Sequence, residues 1–285
     1  MKKLFAIAVS AAMLLSFAAG CNTTSTSTNT SSSSDKKAAA TSDEPKTDRN
    51  TFTVGFDAEF PPYGYQDDNG EYVGFDLDLA AEVCKRNGWE LLKKPIDWDS
   101  KDLELGSGTI DCIWNGFTIN GREDAYTWTE AYVDNSQVFV VAADSGIKTK
   151  ADLEGKTVAV QADSSALAAL TDEEDNDENL ALADTFAELI EVPDYNTAFM
   201  NLEAGAVDAI AMDIGVANYQ LSSRGDKYVI LDEVLSAEEY GVGFKLGNTE
   251  LRDTVQKTLN EMAEDGTFMK IAEKWELQDS VKLGK

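Results

Sequence analysis

Beyond residue 50, short apolar runs alternate with longer stretches whose apolar residues recur at helical spacing. Residues 51–57 and 155–161 are apolar runs that each lead into a polar or proline-containing loop, which indicates two strands. Residues 75–86, 197–204 and 251–275 have the spacing of amphipathic helices. The order of these elements predicts an α/β protein.

One motif, Leu-x-x-Gly-x-Ile/Val-Asp-x-Ile, occurs twice in the chain, at residues 105–113 and 202–210. In each copy a helix is predicted to end at the glycine, Gly108 or Gly205, because glycine suits the left-handed conformation after a helix. A short apolar strand then follows. Two copies of strand, helix and strand predict two α/β lobes, each with a mainly parallel sheet flanked by helices.

Polar residues follow the apolar strand of each copy. Asn115, Gly116 and Thr118 come after the first strand, and Asp213 comes after the second. Open α/β sheets bind ligands at the carboxyl ends of their strands. If the two lobes face each other, these strand ends meet across one cleft.

The first fifty residues have the composition of an export signal followed by a tether. A positive start and an apolar run over residues 4–19 predict a secretory signal over residues 1–20. The ending Ala18-Ala19-Gly20-Cys21 resembles the lipobox of bacterial lipoproteins, in which Cys21 carries the lipid. The alternative is an ordinary cleaved signal with a chance cysteine. Residues 21–50 are polar and small, which predicts a flexible tether between the outer face of the cell membrane and a folded part.

Composition excludes several classes of function. The chain has 285 residues and a formal net charge of −28, so a nucleic-acid partner is not expected, because phosphate binding needs a basic face. The sequence contains no histidine, which excludes Ser/His and Cys/His nucleophile pairs and every histidine-containing metal site. Catalysis by carboxylate, lysine or tyrosine remains open, and no cofactor or metal site is predicted.

Three smaller features have two interpretations each. Cys84 and Cys112 are interpreted as small buried apolar residues, with a mutual disulfide as the alternative. Residues 67–70, Asp-Asp-Asn-Gly, predict a hairpin turn, since the ligand spacing of a calcium loop is absent. The acidic segment 171–179 is interpreted as solvated surface, with cation binding as the alternative.

Eight segments in a fixed order resemble the polar amino-acid substrate-binding proteins of bacterial ABC importers, the family 3 solute-binding proteins, over roughly residues 51–280. The segments are VGFDAEFPPYGY (54–65), GEYVGFDLDLAAEV (70–83), DWDS (97–100), LGSGTIDCIWNGFTINGRE (105–123), ADLEGKTVAVQADSS (151–165), LEAGAVDAIAMD (202–213), EYGVGFKLGN (239–248) and DGTFMKIAEKW (265–275). The resemblance implies a two-lobe periplasmic-binding-protein-like fold, with two mainly parallel sheets joined by two hinge strands near residues 135–138 and 238–241.

The resemblance also implies an organisation and a role. Residues 51–136 and 239–285 would form lobe 1, and residues 137–238 would form lobe 2. Such a protein is a monomer that captures a free amino acid between its lobes and delivers it to the membrane subunits of an ABC importer. Two alternatives remain: an enzyme similar to periplasmic cyclohexadienyl dehydratases, using Asp57, Glu59 or Asp213 as an acid, and a ligand-sensing surface lipoprotein.

Residue by residue, the resemblance places the charged groups of the ligand. Arg122 would bind the ligand carboxylate through its planar guanidinium. Asp213 would bind the ligand ammonium, with a helix N-cap role as its alternative. The remaining polar contacts would come from Thr118, Ser164 and Ser165 around the carboxylate and from the Gly116 carbonyl at the ammonium. Asp163 stands where the family commonly has glycine, and Asp tolerates unusual φ better than most residues.

The resemblance also supplies the walls of the site. Phe60, Tyr63 and Trp98 match aromatic positions that enclose the ligand side chain. Asp57 and Asn115 would line the end of the site that receives that side chain, and Gln161 ends the strand at residues 155–161. Asp57 and Glu59 favour a polar ligand with a cationic or amide side chain. The lobes would close on the ligand as the hinge strands change their backbone angles.

Overall fold

The computed structural model of the protein describes residues 49–172 and 177–284. The signal over residues 1–20, Cys21 and nearly all of the tether lie outside the described residues, so the anchoring prediction stays a prediction. Residues 173–176 of the acidic segment also lie outside them. The compact unit to which the described residues belong spans Thr47–Lys285.

Within the described ranges the strands are, in chain order, β1 (Thr51–Phe56), β2 (Glu59–Phe60), β3 (Gly64–Gln66), β4 (Tyr72–Val73), β5 (Glu90–Pro95), β6 (Cys112–Thr118), β7 (Tyr126–Trp128), β8 (Val133–Ala142), β9 (Thr157–Gln161), β10 (Glu188–Val192), β11 (Ala209–Asp213), β12 (Tyr228–Ile230) and β13 (Ser236–Lys245). The α-helices are α1 (Phe75–Asn87), α2 (Lys101–Ser107), α3 (Ser165–Thr171), α4 (Asp177–Ala183), α5 (Tyr195–Glu203), α6 (Ile214–Arg224), α7 (Thr249–Glu264) and α8 (Thr267–Lys274).

Ten strands form one mixed sheet with the path β10-β9-β11-β8-β13-β6-β1-β5, to which β12 adds on β8 and β7 on β13. We call β1, β5 and β6 the first half of the sheet and β9, β10 and β11 the second half. The strands within each half pair in parallel. A small antiparallel sheet contains β2, β3 and β4.

The structure has one mixed sheet where two mainly parallel sheets joined by two hinge strands were predicted, because β8 and β13 pair with both halves and connect them. These two strands have ten residues each and pair with each other over residues 133–137 and 236–240. Beyond that stretch β8 pairs with β11 of the second half, and β13 pairs with β6 of the first half. Both of these pairings are antiparallel, so parallel pairing is confined to the strands within each half.

Several predicted elements are confirmed, with shifts at their ends. β1 and β9 occupy the two predicted strands, and α1 and α5 occupy two of the predicted helices. The helix predicted over residues 251–275 is wrong, since it is two helices separated at Gly266, whose φ of 77° is left-handed. The strand after Gly108 begins at Cys112 and includes Asn115 to Thr118, because β6 stays paired with β13 as far as Thr118.

The two cysteines of the folded part and the predicted hairpin turn lie within the described residues. Cys84 and Cys112 are both buried and unpaired, so the disulfide alternative does not hold. The hairpin turn is confirmed between β3 and β4, where the Asp67 carboxylate accepts hydrogen bonds from the backbone N–H groups of Asn69 and Glu71.

Candidate functional site

Eight of the predicted site residues line one small cavity between the two halves of the sheet. They are Phe60, Trp98, Gly116 and Thr118 from segments at β2, β5 and β6, and Gln161, Ser164, Ser165 and Asp213 from segments at β9, α3 and β11. The cavity has a volume of about 10 Å³, roughly the space of one water molecule. An amino acid is larger than this, so its entry requires the two halves to separate.

The loop from β9 to α3 presents backbone and hydroxyl groups to the cavity. Gln161 is the last residue of β9, and Ser164 is the N-cap of α3, where its hydroxyl accepts a hydrogen bond from the Leu167 N–H at 3.1 Å. Asp163 adopts a φ of 56° between them. Asp is among the residues found most often at positive φ, so this loop keeps a left-handed residue where the family commonly has glycine.

Arg122 lies behind the small cavity rather than on its wall. Its guanidinium donates to the Ser165 hydroxyl at 2.9 Å and to the Asp163 carbonyl at 3.3 Å, both on the other side of the cleft. The guanidinium carbon lies 5.4 Å from the centre of the Phe117 ring. Arg122 therefore borders the two serines predicted to surround the ligand carboxylate, and it already contacts both halves.

Asp213 ends β11 and is 5% exposed. It occupies the N-cap position of α6, but its side chain makes no capping hydrogen bond, so the capping alternative does not explain it. The carboxylate instead accepts from the amide of Asn135 at 2.9 Å, the amide of Gln137 at 2.8 Å and the hydroxyl of Tyr240 at 2.5 Å. Burial raises the pKa of Asp213.

Asp57 is held at the opposite end of the site by three hydrogen bonds. Its carboxylate accepts from the Gln161 side chain at 2.7 Å and from the Glu59 N–H at 2.8 Å. Its own N–H donates to the Asn115 side-chain oxygen at 2.9 Å. Burial raises the pKa of Asp57 to about 6. The Asp57–Gln161 bond is a second polar contact between the two halves.

A larger cavity of about 610 Å³ adjoins this end of the site. It shares Trp98 with the small cavity and also contains Asp57 in its wall. The other acidic residues of its lining are Glu59, Asp97, Asp99, Glu104 and Asp194. The electrostatic potential in this cavity is strongly negative, because the carboxylates on its walls have the same sign and the low-dielectric walls focus their field. The cavity therefore favours a cationic group.

Of the aromatic residues predicted to enclose the ligand, Tyr63 is the one that the structure does not place on the small cavity. Its ring is 1% exposed and packs on Phe60, with 5.8 Å between ring centres, and on Tyr240, with 5.2 Å. Tyr63 therefore supports Phe60 from behind.

Two residues near the site were missed by the reasoning from sequence. Lys101 begins α2, is 1% exposed, forms an ion pair with Asp163 across the cleft and lies 5.2 Å from the Trp98 ring centre. Glu238 on β13 is 5% exposed and shares hydrogen-bond donors with Asp213. The unusual Asp163 is the sequence signal that could have found Lys101. Glu238 is predicted only as part of a hinge segment, and nothing in the pattern links it to Asp213.

Over the described part of the chain, no group of three or more acidic or cysteine side chains is arranged to hold a metal ion. The chemistry that the arrangement offers is recognition of separated charges. A buried carboxylate (Asp213) lies on the wall of the small cavity, a cation (Arg122) contacts Ser165 of that wall, and the Trp98 ring lines both this cavity and the acidic one.

Comparison with known proteins identifies a family. The family model of bacterial extracellular solute-binding proteins, family 3, matches residues 52–278. The L-cystine-binding protein TcyJ of Escherichia coli K12 is 31% identical over 231 residues, which cover 80% of this chain and 83% of that protein.

Solved structures give the same result for the fold. A substrate-binding protein of an ABC uptake transporter from Streptococcus pneumoniae, with bound histidine, has a TM-score of 0.76 and 34% identity over 81% of this chain and 94% of that one. An ancestral arginine-binding protein bound to arginine has a TM-score of 0.72 and 36% identity over 80% of this chain and 98% of that one.

Proposed function

We propose, from the premise that this chain belongs to the family 3 bacterial extracellular solute-binding proteins, that it captures a free amino acid and delivers it to an ABC importer. The observation that carries the proposal is a small cavity whose eight lining residues, from segments on both sides of the cleft, are all predicted ligand contacts. The family and the relatives described above are binding proteins, which confirms the prediction of a binding protein rather than an enzyme.

In this proposal the ligand is held by its charges. Its carboxylate binds Arg122 and the N–H and hydroxyl groups of Thr118, Ser164 and Ser165. Its ammonium binds Asp213 and the Gly116 carbonyl. Both ligand charges lose water when the cleft shuts, so both need full partners. The supporting geometry is that Arg122 already reaches Ser165, whereas Asp213 is held only by neutral donors.

We propose that the cleft opens and closes through β8 and β13. Residues 51–136 and 239–285 would move as lobe 1 against residues 137–238 as lobe 2. The two strands support this role because, within residues 49–172 and 177–284, the sheet path passes from one half to the other through β8 and β13. Closure adds Ser165 and Asp213 to a ligand held first by Arg122, and contacts made only in the closed form drive it.

The ligand side chain is proposed to be polar or basic. It would pass between Phe60 and Trp98 toward Asp57, where the acidic cavity favours a cationic or amide end. The relatives described above bind cystine, histidine and arginine. These three are therefore the first ligands to test.

We also propose that the mature chain is tethered by lipid on Cys21 to the outer face of the cell membrane. Across the described residues, no helix combines the length and the apolar character that crossing a membrane requires. Cys21→Ala should block lipid labelling and release the protein from the membrane fraction. A variant that stays membrane-bound and labelled would contradict the anchor.

The binding role is tested by a thermal-shift screen of the full chain with the twenty amino acids, cystine and ornithine. A ligand that binds only the native state stabilises it by mass action, and at a ligand concentration of a hundred times Kd the stabilisation is about 2.7 kcal/mol. The melting temperature rises accordingly. We expect at least one amino acid with a polar or basic side chain to raise it. No shift with any of them would overturn the proposal.

A further inference from the structure

Glu238 and Asp213 form a buried carboxyl pair at the point where the two halves of the sheet meet. The Asn135 side-chain N–H₂ donates to Asp213 at 2.9 Å and to Glu238 at 2.5 Å. The Gln137 side-chain N–H₂ donates to the same two oxygens at 2.8 Å and 2.7 Å. Two carboxyl oxygens that share both donors are close neighbours.

No cation balances this pair within the described residues, where the side chains outside the pair that donate to either carboxyl are all neutral. The amide oxygens of Asn135 and Gln137 have no hydrogen-bond partner, so both amides turn their nitrogens to the carboxyls. The Tyr195 and Tyr240 hydroxyls donate to Asp213. Burial raises the pKa of both tyrosines, so they stay neutral.

The other ionisable groups near the Asp213–Glu238 pair are a neutral tyrosine, acidic side chains, and cations that contact other residues. Tyr63 also faces it and is neutral, because burial raises its pKa. A cavity of about 190 Å³ behind Glu238 is also lined by Arg122 and Asp172. Arg122 donates to Ser165, and the neighbouring Glu239 pairs with Lys282. Arg122 and Lys282 therefore form no ion pair with Asp213 or Glu238 that would offset the ionisation of both carboxyls.

Two adjacent buried carboxyls cannot both ionise without a cation, so the pair keeps one proton. Burial, and then the charge of Asp213, raise the pKa of Glu238 to about 8. Asp213 has the two tyrosine donors in addition to the amides, which favours the negative charge on Asp213 and the proton on Glu238. Since the two groups interact, the titration belongs to the pair.

We propose that the Asp213–Glu238 pair exchanges this proton for the ammonium group of the ligand, so that amino-acid capture releases a proton. The O–H bond of the protonated carboxyl breaks and the proton passes to solvent, while the ligand ammonium keeps its hydrogens. The net charge at the pair is then the same before and after binding. This inference rests on the proposed function and on the ammonium contact to Asp213.

Glu238 is thereby a positioning residue rather than a ligand contact. It lies on β13, while Asn135 and Gln137 lie on β8, and these are the two strands that join the halves. A change of charge at the ligand site therefore takes place directly on the proposed hinge.

Isothermal calorimetry tests this exchange with the full chain at pH 7.0 in phosphate and in Tris, titrated with L-arginine, L-glutamine and L-cystine. The difference in heat between buffers of different ionisation enthalpy gives the number of protons released. We expect close to one proton per ligand bound. The affinity should rise about fivefold between pH 7 and the pKa of the pair, because linkage makes the slope equal to the protons released, and that number falls to one half at the pKa. This range lies above the pKa of Asp57, about 6.

The matched variants are Glu238→Gln and Glu239→Gln. The amide introduced by Glu238→Gln can donate to Asp213 as the protonated acid does, so binding by this variant should release almost no proton and lose the rise of affinity with pH. Glu239→Gln removes a partly exposed neighbouring charge and should leave both quantities unchanged. Binding by the parent chain without proton release, or equal release by Glu238→Gln, overturns the inference alone. No heat with these three amino acids, together with no thermal shift for any amino acid of the screen, overturns the proposed function as well.

Discussion

At the scale of single residues, the charged ends of the cleft should control affinity. Arg122 is half-buried and faces Ser165 and Asp163. Loss of one partner of a buried ion pair costs about 3–5 kcal/mol, and the lower end suits a half-buried group. Arg122→Ala should therefore raise Kd by about a hundredfold or more, and Arg122→Lys should fail substantially, since lysine lacks the planar fork. Calorimetry with L-arginine measures both.

The control for this prediction is the ligand itself. Argininamide lacks the carboxylate and should bind the parent weakly, and Arg122→Ala should weaken it little further. Asp213→Ala should weaken L-arginine at least as much as Arg122→Ala does, because Asp213 is the more buried of the two, while a cooperative melting transition shows that the variant keeps its fold. Additive losses for Arg122→Ala and the amide would show that Arg122 does not contact the carboxylate.

The repeated motif and the strand pattern assign several of the predicted site residues to particular elements. Ser164, Ser165 and Asp213 lie at the ends of these elements, whereas Gly116 lies inside β6. Glu238 could not be found in this way. Its importance comes from a neighbour 25 positions away, on a strand whose pairing depends on the whole sheet.

At the scale of elements, Gly116 in β6 has both a backbone and a packing reason to be glycine. Its φ is 58°, and an added Cβ would lie 3.0 Å from the Phe60 and Tyr240 rings. Gly116→Ala should destabilise the chain and lower its melting temperature. Gly88 has a φ of 73° but open space around it, so Gly88→Ala isolates the backbone cost of about 1–2 kcal/mol. Equal melting temperatures for the two variants would contradict the packing argument.

The ion pair between α2 and the loop after β9 should act as a latch on the closed form. Lys101 is 1% exposed, and burial lowers its pKa, so it needs Asp163 as counter-charge. When the halves separate, water hydrates both Lys101 and Asp163, so the ion pair stabilises the closed form only. Asp163 is about half exposed, so we expect a loss between that of surface and buried pairs, about 1–2 kcal/mol.

The test uses two substitutions that fit the positive φ of Asp163. Asp163→Asn and Asp163→Gly should both speed ligand dissociation by about five- to thirtyfold, as measured by stopped-flow fluorescence. The exposed Asp144→Asn controls for net charge and should leave the rate unchanged. Parent-like dissociation in both Asp163 variants would show that the pair does not hold the cleft shut.

At the scale of the whole molecule, the repeated motif predicted two α/β halves but not how they join. Periodicity identifies a strand and says nothing about its partners. Hinge strands near residues 135–138 and 238–241 were expected from the family resemblance alone. β8 and β13 cover these positions, and each pairs with one half at one end and with the other crossing strand at the other end. The same limit explains the missing break at Gly266, where the apolar spacing of α7 and α8 continues across the turn.

The buried carboxyls of the whole chain should make the unliganded protein less stable as pH rises. Burial raises the pKa of Asp57 to about 6, of Asp76 to about 7 and of Glu238 to about 8. Between the ordinary values near 4 and these values the native state binds more protons than the unfolded state, so stability falls with rising pH.

One pKa unit is worth about 1.4 kcal/mol, and each 1 kcal/mol shifts the melting temperature by about 2–4 °C in a chain of this size. Between pH 5.5 and 8.5 the three groups together are worth about 6 kcal/mol, so melting curves should show a drop of more than roughly ten degrees in the parent and a smaller drop in Asp76→Asn. The exposed Asp68→Asn should behave as the parent, and a parent that is equally stable at both values would show that these carboxyls are not penalised by burial.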